Sequence, residues 1–245
     1  MNIPRKAWTD FARKLAAVNE TAAQLMWDWL KLNGTGNLEA AVQYAYALAE
    51  TYGEAAATLA CEMYEAAAAF YGVTVPPATP AAGPIEERLR AAISKAAEEA
   101  PSTIPAIVGR TVKQQAADTT LQNAQRDGAE WAWVPIGDTC AFCITLASRG
   151  WQHQSKAAKT AHAEHIHNNC DCTYAIRFSK KDGVAGYDPK KYLDMYNNAS
   201  DSQNPQDKIN AMRREAYAAD KERINAQKRA AYADRRAAQS ELIET

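Results

Sequence analysis

The sequence lacks the features that mark membrane-spanning, secreted and strongly basic proteins. It has no uninterrupted apolar run near the roughly 20 residues that a transmembrane helix needs. Its first residues, MNIPRKAWTDFARKL, form an amphipathic pattern without the apolar core of a signal peptide. The formal net charge is -1, so no whole-protein field attracts nucleic acid or anionic membrane. We therefore expect a cytosolic product with no membrane partner, whose contacts with charged partners are local.

Histidine and cysteine are also scarce, with four and five residues in 245. Four of the cysteines and three of the histidines nevertheless lie within residues 137–172, in GDTCAFC and HAEHIHNNCDC. An odd number of cysteines in close pairs, in a reducing compartment, favours a metal site over a disulfide framework. The fifth cysteine, Cys61, lies in a helical pattern and is expected to be a small buried hydrophobic residue.

Helical periodicity is what the chain has in abundance. Apolar residues recur at steps of three and four from Trp8 to Trp29, and Asn33-Gly34 ends the pattern. A second pattern begins after Asn37, a candidate N-cap, and continues to Gly72. Two long helices joined by a short turn predict an antiparallel helical hairpin over residues 1–72.

The remaining chain divides into four further segments. Four prolines within 73–84 exclude a continuous helix, so this stretch is either a linker or an extended strap across the hairpin. Helical spacing resumes over 85–128, with a break at Pro101. Alternation in EWAWVP and CTYAIRF predicts two strands within 129–180, with the short helix AFCITLASRG between them. Residues 181–245 return to a helical pattern.

The last segment is the basic element of the chain. INAMRREAYA, from Ile209, recurs as INAQKRAAYA, from Ile224, and an offset of fifteen residues presents nearly the same helical face. Lys208 to Arg236 holds nine basic and four acidic residues. An ordinary solvated helix with pairs such as Asp220 and Arg223 is the plainer interpretation. The candidate contacts to nucleic acid or a protein partner are Arg213, Arg214, Lys228, Arg229, Arg235 and Arg236.

The cysteines and histidines have the spacing of a zinc site. Cys140 and Cys143 form a Cys-x-x-Cys pair, and His167, Cys170 and Cys172 follow as His-x-x-Cys-x-Cys. Tetrahedral zinc takes such close pairs from two separate segments. Any four of these five residues complete the site, and Cys140, Cys143, His167 and Cys170 are our first choice. A closed four-ligand site of this kind stabilises the fold of a small module.

Enzymatic interpretations of the same residues remain open. His162-Ala163-Glu164 beside Cys-x-x-Cys has the residue types of zinc deaminases, but in reversed order and without a proline before Cys140. A zinc-dependent nuclease or hydrolase is the stronger alternative, with His162, His165 or Asp171 as base or second-metal ligand. A Cys140–Cys143 disulfide is a further alternative.

DTCAFCITLASRG followed by HIHNNCDC resembles the signature of the phage Mu gpF-like (MuF) head morphogenesis and minor capsid proteins. That family has Cys-x-x-Cys and then His-Pro-x-Cys-Arg-Cys, which map onto Cys140 and Cys143, then His167, Cys170 and Cys172. Asn168 stands where the family has proline, and Asp171 where it has arginine. The resemblance covers about residues 130–178, and extends more weakly into the tail.

The resemblance implies a role inside the phage head. Such proteins associate with the portal in the procapsid, are present in few copies, and in some cases bind DNA. We therefore expect a mainly α protein with a long N-terminal helical hairpin, a small α+β zinc-knuckle module and a helical C-terminal tail. The expected partners are the portal or other capsid proteins, with DNA as a second partner, in an assembly of several copies. The expected locations are the virion interior and, during assembly, the host cytoplasm.

On this interpretation the chain supports procapsid assembly and DNA packaging through protein contacts, without catalysis. Two alternatives from other classes remain: the zinc-dependent nuclease or hydrolase, and a DNA-binding regulatory module that uses the basic tail. The first predicts metal-dependent turnover, and the second predicts DNA binding that weakens steeply with salt.

Overall fold

The computed structural model describes residues 1–137, 139–153 and 172–241, with the backbone alone at Ile224 and over 227–241. The described chain is mainly helical, as predicted. Its helices are α1 (Arg5–Asn33), α2 (Leu38–Phe70), α3 (Glu86–Glu99), α4 (Ile104–Asp127), α5 (Ala141–Ala147), α6 (Pro189–Asn198) and α7 (Pro205–Glu241). Its strands are β1 (Asn2–Ile3), β2 (Glu130–Val134), β3 (Gln152–His153), β4 (Thr173–Arg177) and β5 (Gly183–Val184). None of the described helices is both long and apolar enough to cross a bilayer.

Helices α1 and α2 form the predicted hairpin, and its turn has the predicted chemistry. Gly34 follows α1 with a φ of 66°, a conformation that glycine adopts without strain. The Asn37 side chain accepts a hydrogen bond of 3.1 Å from the Ala40 backbone N–H and so caps α2. Trp29 stacks on Tyr44 near this end, with ring centroids 5.6 Å apart.

Helix α4 packs into the hairpin and shares one core with α1 and α2. The approach to α1 is close, because a Cβ added to Gly109 would lie 3.1 Å from the Asn19 carbonyl oxygen. Small residues line the shared core, which is why three helices pack at such short separation. Its members include Leu15, Ala22, Met26, Val42, Ala45, Ala49, Ala56, Val108, Val112 and Ala116.

The proline-rich stretch 73–84 lies extended against one polar face of α4. The Thr79 N–H donates to Asn123 Oδ1, and the Ala81 N–H donates to Thr119 Oγ1, each at 3.0 Å. Arg126 donates to the carbonyls of Pro76 and Pro77. The strap thus satisfies polar side chains of α4 and is itself held in place. These buried polar residues explain why α4 lacks a simple apolar stripe.

A buried carboxylate joins α4 to α2. Asp127 accepts hydrogen bonds from Arg126 Nε at 2.7 Å and from the Tyr64 hydroxyl at 2.9 Å. The guanidinium of Arg126 is the main reason why the pKa of Asp127 lies below its ordinary value. The stabilisation is therefore present above the unfolded pKa of about 4 and is lost as pH falls through the lower folded pKa.

We expect Asp127→Asn to reduce the free energy of unfolding by about 1 to 3 kcal/mol at pH 7, since the amide loses the charge-assisted hydrogen bonds. Urea titrations from about pH 7 to pH 3 should show this difference shrinking as the wild-type carboxyl is protonated. A difference that stays constant across that range would contradict the assigned ion pair.

The two predicted strands, β2 and β4, pair in a three-stranded sheet in the order β3-β2-β4, with β2 at the centre. Strands β2 and β4 are antiparallel, with Trp131 opposite Ile176 and Trp133 opposite Tyr174. Their side chains join α1, α2 and α4 in a second core cluster. A separate parallel pairing of β1 with β5, which the sequence analysis did not predict, ties the start of the chain to the segment after β4.

Candidate functional site

Three of the five predicted zinc ligands lie in the described chain, and the β2–β4 pairing brings them to one region. Val134, the last residue of β2, lies opposite Thr173, so Cys172 lies at the end of β2. The chain that leaves β2 reaches Cys140 and Cys143 at the start of α5, which contacts β2. The sheet register thus explains how residues far apart in sequence approach one another.

Cys140 occupies the N-cap position of α5 and is solvent-exposed. Its Sγ accepts a hydrogen bond from the Cys143 backbone N–H at 3.4 Å. A backbone donor and the positive end of a helix both favour the thiolate form of cysteine, which is the form that binds metal. The residue is thus suited to be a metal ligand.

Cys143 and Cys172 are buried, with 1% and 0% of their surface exposed. Both belong to the apolar cluster that holds Trp133 and Tyr174, whose ring centroids lie 4.4 Å apart. In such surroundings the thiolate is disfavoured unless a cation neutralises it. The chemistry of the two buried sulfurs therefore fits either inert core residues or ligands of a bound metal.

The described residues do not complete a metal site by themselves. Within 1–137, 139–153 and 172–241, no group of three or more His, Cys, Asp and Glu residues is placed to hold a metal ion. His167 and Cys170 lie outside the described residues, as do His162, His165 and Asp171. The five-residue ligand set remains a prediction, and the described part is consistent with the pair at α5 and with Cys172 nearby.

The loop before Cys140 and the end of α5 are fixed by contacts that the sequence analysis missed. Arg5 of α1 donates to the Pro135 carbonyl at 2.9 Å. The Tyr187 hydroxyl donates to the Ala147 carbonyl at the end of α5, also at 2.9 Å. Arg177 donates to Glu130 at 2.6 Å across the sheet. No local sequence pattern signals such contacts, because their partners are between 40 and 130 residues apart.

Helix α5 also anchors the tail. Its residues Ala141 and Ile144 form a small apolar cluster with Met212 of α7, flanked by Tyr192, Tyr196 and Ile209. The Lys208 ammonium donates to the Ser200 carbonyl at 2.6 Å, and the residue is 9% exposed. The first turns of α7 are therefore attached to the helix that carries the Cys-x-x-Cys pair.

The predicted contact residues of the tail lie beyond this attachment. Arg213 and Arg214 are exposed and directly follow Met212. Lys228, Arg229, Arg235 and Arg236 lie in α7, where the backbone alone is described. The structure thus places the six predicted basic residues on one continuous helix of 37 residues.

Comparison with known proteins gives one finding. A family model described as VG15 protein matches residues 2–199, which covers the helical hairpin, the sheet and α6. No curated protein and no solved structure matches the chain.

Proposed function

Since the chain belongs to the VG15 protein family, a family of viral and phage proteins, we propose that it is a structural or assembly protein of the phage head. The observation that carries this proposal is the family match over residues 2–199, which spans every described element except α7. At the finer level, we propose a minor capsid and head morphogenesis protein of the phage Mu gpF-like type. The Cys-x-x-Cys and His-x-x-Cys-x-Cys spacing supports that assignment.

The proposed mechanism rests on protein contacts. The core shared by α1, α2 and α4 supplies a rigid body, and α7 extends from the α5 region as a long arm. We propose that the portal is the partner and that a bound zinc ion, held by four of Cys140, Cys143, His167, Cys170 and Cys172, fixes the base of the arm. Zinc would supply a structural cross-link between the two segments that carry the ligands.

Binding to the portal oligomer of the same phage tests this proposal. The purified full-length chain should bind immobilised portal, and a chain with Ile144→Glu should bind less, since a charge in the α5–α7 cluster detaches the arm. An exposed position on the same body, Glu20→Lys, serves as the control. Absence of binding by the wild-type chain would contradict a portal-associated role.

The arm also has the charge to contact DNA, which we propose as a second partner. Exposed Arg213 and Arg214 begin a segment rich in lysine and arginine. If phosphates are the ligand, the affinity for duplex DNA should fall steeply between about 50 and 200 mM salt. Replacing both arginines by alanine should reduce the salt slope by about two. Fluorescence anisotropy with a labelled duplex measures both quantities, and a salt-independent affinity would exclude a phosphate contact.

A further inference from the structure

An open groove of about 330 Å³ lies between the first half of α1 and the second half of α2. Its two helical walls carry opposite charges, with Lys14 on α1 and Glu62 on α2, while Asp10 on the α1 wall is already paired with Lys6 at 2.6 Å. The indole N–H of Trp8 is buried and has no acceptor among the described residues. Apolar side chains form most of the lining, among them Ile3, Trp8, Phe11, Leu59, Met63 and Phe70.

The α2 side of this groove belongs to an acidic helix. Helix α2 contains five glutamates and no lysine or arginine. Glu39 is neutralised by Arg90, and Glu65 accepts the Ala78 N–H at 2.7 Å. Glu54 and Glu62 are exposed, and Glu62 lines the groove. An occupant of the groove should therefore present basic residues toward α2 and an apolar line toward the floor.

Helix α7 is a candidate occupant because its described side chains beyond Met212 are all exposed. At about 1.5 Å per residue its 37 residues extend about 55 Å. Among the described side chains of α7, which are 205–223, 225 and 226, only Lys208 and Met212 are buried, and every residue from Arg213 to Arg223 is exposed. Long helices gain most of their stability from tertiary packing of one face, so the outer part of α7 is expected to have a partner.

The internal repeat gives α7 two docking segments of different character. The first copy, 209–218, places Ile209 and Met212 against α5 and α6. The second copy, 224–233, has Gln227 at the position of Met212 and Ala230 at the position of Glu215. The second copy is thus less suited to the apolar seat on α5, and more basic, so it should bind a different and more acidic surface.

Charge is segregated around α7 in a way that matches the groove. At about 100° per residue, seven of the eight basic residues between Arg213 and Glu241 fall on one half of the helix, and all five acidic residues fall on the other. The eighth, Arg223, lies on the acidic half and pairs with Asp220 at 2.9 Å. Ile224 and Ala231 lie at the edge of the basic half, next to the acidic half. Around the helix the order is thus basic, apolar and acidic. Across the groove from α2 to α1 the order is acidic, apolar and basic, so opposite charges would face each other.

We propose that the outer part of α7 from one copy of this chain occupies the α1–α2 groove of a second copy. The basic half lies toward the α2 glutamates, and the acidic half lies toward Lys14. Helix α7, which is continuous to Glu241, forms the tail of the chain, and β1, α1 and α2 of the body line the groove. The proposed contact therefore joins the tail of one copy to the body of the next. Such a heterologous contact generates rings or open chains. It goes beyond the proposed role in the phage head and uses none of the predicted zinc ligands.

Sedimentation equilibrium of the full-length chain tests the proposal with one groove variant and one tail variant. Ala66→Trp places an indole in the groove from an exposed position, and Ala55→Trp, exposed on the same helix outside the groove, is the matched control. The tail variant combines Lys228→Glu with Arg229→Glu. We expect the wild-type chain and the control to self-associate, and both variants to raise the dissociation constant at least about tenfold.

Mixing the two variants gives the sharper result. The groove variant retains an intact tail and the tail variant retains an intact groove, so an equimolar mixture should form dimers but no larger species. If the tryptophan variant is misfolded by circular dichroism, Glu62→Lys replaces it. A wild-type chain that stays monomeric to about 100 µM, or variants that associate like the wild type, would overturn the proposal. So would a mixture that stays monomeric, or a monomeric chain whose tail binds only DNA.

Discussion

Chelation of the purified chain is expected to release about one zinc ion per chain and to lower the thermal midpoint by roughly 10 °C or more. The size of the effect follows from the location of the cysteines. Cys143 and Cys172 lie in the cluster that also holds Trp8 of α1 and Tyr64 of α2, so the loss of a metal there disturbs packing between the sheet and the helices. Elemental analysis, and thermal melting before and after chelation, measure the two quantities.

Cys140→Ser distinguishes the role of Cys140 in metal binding from its role in capping the helix. Serine is a favoured N-cap residue and preserves the acceptor for the Cys143 N–H, so without a metal this substitution would leave stability unchanged or raise it slightly. With a zinc site, it should reduce both the zinc content and the thermal midpoint. Cys61→Ser, a half-buried position on α2, is the matched control and should retain the metal. Full stability and no zinc in the wild-type chain would contradict the ligand assignment.

Trp133→Ala is expected to reduce the free energy of unfolding by about 3 to 5 kcal/mol. Trp133 is 1% exposed, packs edge-on against Tyr174 and connects the cysteine region to the helical core. Its indole N–H is buried without an acceptor among the described residues, so Trp133→Phe should cost much less than the alanine variant. Denaturant titration measures the loss of unfolding free energy for both variants, provided that the m-value stays constant.

Trp27→Ala provides the matched control for that prediction. Trp27 is 39% exposed near the tip of the hairpin, and the Lys31 ammonium lies 5.3 Å from its ring centroid. An exposed cation–π pair contributes about 0.5 to 1 kcal/mol, so the loss should be of that size. Equal losses for the two alanine variants would contradict the central place of Trp133 in the core.

The long helices were predictable because local chemistry determines them. Apolar spacing, the Asn37 cap and the Gly34 turn each act within a few residues, and the structure has all three where the sequence predicts them. The strands of the sheet were predictable for the same reason, since alternation in Trp131 and Trp133, and in Tyr174 and Ile176, marks one face of each strand.

The arrangement of these elements was not predictable in the same way. The packing of α4 into the hairpin depends on Gly109, which permits close approach, and on a strap that covers Thr119 and Asn123. Neither appears as an apolar stripe. The parallel β1–β5 pair is two residues long on each side, too short for an alternation to be recognised.

In the candidate site, too, local features were predictable from the sequence and tertiary contacts were not. The Cys-x-x-Cys pair could be placed at the start of a helix from sequence alone, and the structure confirms that position for Cys140. The approach of Cys172 depends on the strand register, and the position of the preceding loop depends on Arg5, which lies 130 residues from its acceptor. Such contacts follow from the tertiary fold and leave no local signal.

Quantitative mass spectrometry of purified procapsids and mature heads, from the phage that encodes this chain, tests the proposed role in the phage head. A structural or assembly protein of the head should be present in purified heads in a few copies per particle, at a constant ratio to the portal, and heads should fail to form or to fill with DNA when the gene is disrupted. A chain that is abundant in the infected cell, absent from both kinds of particle and dispensable for their assembly would contradict a structural or assembly role in the head.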